Sequence, residues 1–71
     1  MIRYTVLFEP THTGYSAHVP DLPGCIAAAA TLDETRKLIR EAIAFHVEGM
    51  RLHGETIPAP ITRGEEIEIP A

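Results

Sequence analysis

The segment Pro20-Asp21-Leu22-Pro23-Gly24-Cys25 constrains this chain more than any other. Each proline fixes φ near −65° and moves the residue before it out of helical space, so neither a helix nor an unbroken strand can run through. Gly24 supplies the freedom for a sharp reversal. The corner divides the chain: whatever precedes it ends there, and the small apolar run 25–30 begins a new element.

On the amino-terminal side, Ile2, Tyr4, Val6 and Phe8 alternate with Arg3, Thr5, Leu7 and Glu9, the period of a strand with one buried face. This predicts a first strand over about 2–9. Turn residues fill Pro10-Thr11-His12-Thr13-Gly14, and Tyr15, Ala17 and Val19 then alternate with Ser16 and His18, predicting a second strand over 14–19 in an antiparallel hairpin. The run 25–30 has strand length, and its small side chains suit a central strand crossed closely by a helix. Ala28 and Ala30 equally suit a close contact between protomers.

Thr31 followed three residues later by Glu34 is a capping box, which starts a helix at Leu32. Leu38, Ile39, Ala42, Ile43, Phe45, His46, Val47 and Met50 recur at helical spacing and form its apolar side. Gly54 is the natural stop, giving a helix over about 32–53. Ile57-Pro58-Ala59-Pro60-Ile61 is an extended arm of polyproline character. Beyond it Ile67 and Ile69 alternate with Glu66 and Glu68, which predicts a last strand over about 65–69, added to a sheet of this chain or of a neighbour. The fold class is α+β in the order βββαβ, with one long helix on an antiparallel sheet.

A chain of 71 residues forms one domain, and a domain this small buries only ~60% of the surface its unfolded form exposes. Self-association would bury more, so a homodimer or higher oligomer is expected. Ten acidic residues against six basic ones give a net charge of −4, which repels a phosphate backbone and suits a basic protein partner. A single cysteine, no secretory leader and no membrane-length apolar run point to a cytoplasmic chain without membrane association.

Signs of catalysis are weak. His46 and His53 stand two helical turns apart, too far to share one ion, and no metal or cofactor is expected. Strand one offers no aspartate among Tyr4-Thr5-Val6, and Cys25 has no evident base beside it. Asp21 is read as organising its own turn. Tyr4 and Tyr15 fall in phase with the apolar strand faces, as core residues do.

Taken together, Tyr4, Gly14-Tyr15, the run from Val19 to Cys25, Thr31 to Glu34, Glu41-Ala42-Ile43, Gly54-Glu55 and Ile57-Pro58-Ala59-Pro60 resemble the signature of the HicB-type antitoxin family. The resemblance implies a fold like part of a ribonuclease H domain. It also implies binding without catalysis: a HicA-type toxin, which cleaves messenger RNA, would be neutralised by covering its RNA-binding and catalytic surface. Many such proteins continue into a DNA-binding domain, and with this chain ending at Ala71 no direct DNA binding is expected of it alone. Expected toxin contacts are Glu41, Glu48, Glu65, Glu66 and Glu68, with Asp21, Leu22 and Pro23 as a second patch. Two other readings are an orphan oligomeric scaffold for another protein or small ligand, and a degenerate ribonuclease H-like nuclease.

Overall fold

A computed structural model describes all 71 residues. Three strands, β1 (Leu7–Pro10), β2 (Tyr15–His18) and β3 (Ile26–Ala29), are followed by one helix, α1 (Leu32–Leu52). The sheet is antiparallel in the order β1-β2-β3. The helix crosses one face, lying chiefly over β3 and β2.

The hairpin between β1 and β2 is closed by the Thr11 N–H, which donates to the Gly14 carbonyl at 2.8 Å. Gly14 is required by space: a Cβ there would stand 2.1 Å from the Ala29 carbonyl oxygen and 2.7 Å from the Ala30 Cα. The absent side chain lets the end of β3 pass against the turn. β3 is thus an edge strand, not a central one, and its small residues serve the close approach of the helix and of Gly14.

The proline corner folds inward. The Leu22 N–H donates to Val19 O at 3.0 Å, the Cys25 N–H to Leu22 O at 3.0 Å, and the Val19 N–H to Cys25 O at 3.2 Å, while Gly24 takes φ +83°. These bonds turn Leu22 into the core, where it is 0% exposed among Ala17, Val19, Cys25 and Ile39. Only six of 71 residues are buried, so the core is thin. Tyr4, Val6, Phe8, Ala42, Ile43 and Val47 are half-buried around it.

Thr31 caps the helix with extended backbone, its Oγ1 accepting from the Glu34 N–H at 3.1 Å. The return bond differs from the expected one: the Thr31 hydroxyl donates to the Glu34 carboxylate at 2.9 Å. At the other end the Gly54 N–H donates to Arg51 O and the Glu55 N–H to Met50 O, with Gly54 at φ +68°. That is a Schellman closure, which satisfies carbonyls a helix end otherwise leaves open.

Three expectations are corrected. Residues 2–6 lie outside the ladder, because β2 leaves for the corner after His18 pairs with Leu7, and Pro20 has no N–H to continue the pairing. Leu38 and Phe45 lie on the outer side of the helix, Phe45 with 83% of its surface exposed. The last strand over 65–69 is absent: that segment has no ladder partner, and Ile67 and Ile69 remain 72% and 75% exposed. The order within one chain is βββα.

The arm before it is pinned. Tyr4 Oη donates to Pro58 O at 2.6 Å, and Thr62 is held by Asp21 and Thr5. Beyond Thr62 the chain projects, and the radius of gyration, 13.8 Å, exceeds the roughly 11 Å of a compact chain this long.

Candidate partner-binding surface

A helix repeats its face every three or four residues. Leu38, Glu41, Phe45, Glu48 and Leu52 follow each other at spacings of three and four, so they form one stripe along α1. All five are exposed. Apolar and acidic side chains alternate along it, and the apolar ones recur every seven residues, the repeat by which helices pack on partner helices. Glu48 is partly neutralised by the Arg51 guanidinium at 3.0 Å, whereas Glu41 has no cation partner. Sequence reasoning named the two glutamates as expected contacts, and the structure places both on this exposed stripe. It missed their apolar companions, since helical spacing alone does not say which side of a thin domain lies against the sheet.

Beside Phe45 the stripe meets an open groove of about 510 Å³ between the proline corner and the end of the helix. Pro23 forms one wall; His46, Gly49 and Met50 form the other, with His53 and Glu55 at the mouth. The His53 Nδ1 lies 2.7 Å from Gly49 O, which fixes its ring. Pro23 and the helix stripe therefore share one surface, as two of the expected patches do not in sequence.

The other corner residues have different duties. Leu22 is core, and its side chain offers nothing to a partner. Asp21 binds across the fold, not within its own turn: its carboxylate accepts from the Thr62 N–H at 3.0 Å and from Thr62 Oγ1 at 2.7 Å. The Thr62 backbone N–H, then its hydroxyl, hold the Asp21 carboxyl below the usual carboxylate range. Burial pushes the Cys25 thiol up, away from the thiolate a nucleophile needs. Asp21, Glu41 and Glu48 do not gather with any other acidic, histidine or cysteine residue into a group of three able to hold a metal ion. No helix is long and apolar enough to cross a membrane.

The sequence from residue 4 to residue 70 matches the family of HicB-like antitoxins of bacterial toxin-antitoxin systems. This chain belongs to the HicB-like antitoxin family. Its relatives include a UPF0150 protein of Thermoplasma acidophilum, 37% identical over 71 residues, covering 99% of this chain and 100% of that one. An uncharacterized 14.9 kDa protein from the rep-hol intergenic region of Haemophilus phage HP1 is 44% identical over 55 residues, which cover 78% of this HicB-like chain but only 41% of the phage protein. Among solved structures, a chain of the HicA3 and HicB3 toxin-antitoxin complex superposes with a TM-score of 0.72 at 30% identity, covering 84% of this chain and 70% of that chain. The family match and the superposition support a toxin-antitoxin role, and the fold is α+β.

Proposed function

We propose that this antitoxin neutralises a HicA-type toxin by occlusion, binding it through the outer stripe of α1 and the adjoining Pro23 groove, with no chemistry of its own. The observation that carries the reading is Phe45, a large aromatic side chain 83% exposed between two glutamates on a rigid helix. Aromatic anchors ringed by polar groups are where binding energy concentrates. Glu41 and Glu48 then meet the basic surface with which an RNA-cleaving toxin grips its substrate. Covering that surface removes both RNA binding and access to the catalytic group. Glu65, Glu66 and Glu68 add to the net charge of −4 that draws such a partner in.

Phe45→Ala is expected to weaken capture of the cognate toxin about 30-fold, a hot-spot loss of ~2 kcal/mol, and to abolish growth rescue when the two are co-expressed. The check is titration calorimetry alongside a rescue assay. Wild-type affinity in Phe45→Ala would remove the stripe from the interface.

A further inference from the structure

The segment Glu65–Ile69 has the side-chain pattern of a strand but no sheet, and the start of strand one has no ladder partner. β1 is an edge, and residues 2–6 before it have no ladder on either side. Over that edge runs a groove of about 490 Å³. Tyr4, Val6 and Phe8 form one side of it, Ile39 and Ile43 the other, and Arg36 and Arg40 stand on the helix rim. Arg36 is engaged by Asp33 at 2.6 Å, while Arg40 has no acidic partner.

The projecting segment complements this edge in both pattern and charge. Ile67, Ile69 and Glu65 share one face of an extended segment, and Glu66 and Glu68 share the other. Laid beside strand one with the isoleucines over the groove, Glu65 falls on the side of Arg40, and Glu66 and Glu68 fall on the side of Arg3. The chain's own segment is poorly placed to do this. Its arm crosses under strand one, from Pro58 at the Tyr4 hydroxyl to Thr62 at the Thr5 hydroxyl, and Gly64 leaves against Thr5 Cγ2. Thr5 alternates with Tyr4 and Val6, so this exit is on the face opposite the groove.

We infer that two copies of this chain exchange their terminal segments, each laying Glu65–Ile69 as an added strand on the free edge of strand one of the other. The exchange is reciprocal, so it closes as a two-fold dimer and leaves no strand-one edge open. It covers the exposed Ile67 and Ile69 and the apolar groove at once, and it leaves the outer stripe of α1 free.

The test is light scattering of the full chain across a concentration series, with circular dichroism to verify the helix. The wild type is expected to be a dimer. Ile67→Asp with Ile69→Asp should raise the dimer dissociation constant about 100-fold with an unchanged helix signal. Arg40→Glu should weaken the dimer, and Glu65→Arg added to it should restore it. In a chain carrying Ile2→Cys and Ile69→Cys, a short bismaleimide should join two chains. A wild type monomeric at high micromolar concentration, a dimer indifferent to the isoleucine changes, or cross-links confined within single chains would each overturn the exchange.

Discussion

Every polar group of Thr62 is engaged: its N–H and hydroxyl donate to Asp21, and its carbonyl accepts from the Thr5 hydroxyl at 2.8 Å. One residue thus fixes the arm to the corner and to the first strand. The sign of its pH dependence follows from the lowered Asp21 carboxyl. A carboxylate whose folded value is depressed contributes stability that is complete above its unfolded value and is lost as pH falls through the folded one. The Thr62 amide resonance is therefore expected to hold steady at neutral pH and to move toward its unbound position only below about pH 4, while Asp21→Asn shows no such transition. An equal titration in both proteins would assign the clamp to another group. The acidic residue between two prolines was legible as structural from the sequence. Its partner, 41 positions away, was not, because local turn chemistry says nothing of which distant segment comes back to it.

Among the elements, the helix shows most clearly what each residue must be. Gly49 lies inside it, with open space where a Cβ would stand beyond the helix's own backbone, and a helical glycine costs ~1 kcal/mol relative to alanine. Gly49→Ala should raise the melting temperature by about 4–8 °C for a domain of this size, whereas Gly14→Ala, forced against the backbone of Ala29 and Ala30, should destabilise by about 3 kcal/mol. Thermal melts of the two variants decide both, and a neutral Gly14→Ala would mean the turn relaxes away from β3. Hairpin, corner, capping box and glycine stop could all be read from the chain because each is a local preference written in a few adjacent residues. The limits of strand one could not, since a ladder ends where its partner departs. Nor could the outward placement of Leu38 and Phe45: a sheet of three short strands is too narrow to cover the whole apolar arc of a 21-residue helix.

At the scale of the whole molecule, charge and shape act together. With a net charge of −4, association with a basic partner is steered over distances comparable to the screening length, about 8–10 Å near physiological salt. Replacing Glu41 and Glu48 by lysine should slow association about tenfold at low ionic strength and much less at high salt, with stopped-flow mixing as the measurement. An on-rate that ignores both the substitutions and the salt would place the encounter on another face. The alternation of Ile67 and Ile69 predicted a last strand, yet the chain forms none there, because alternation specifies an apolar face without specifying a sheet that receives it.

A core of only six buried residues also changes what thermal resistance means here. A second copy or a toxin that covers this chain would add cohesion by linkage. The temperature at which this protein comes apart should climb with its own concentration, and climb further with a saturating companion, making its endurance a property of the company it keeps.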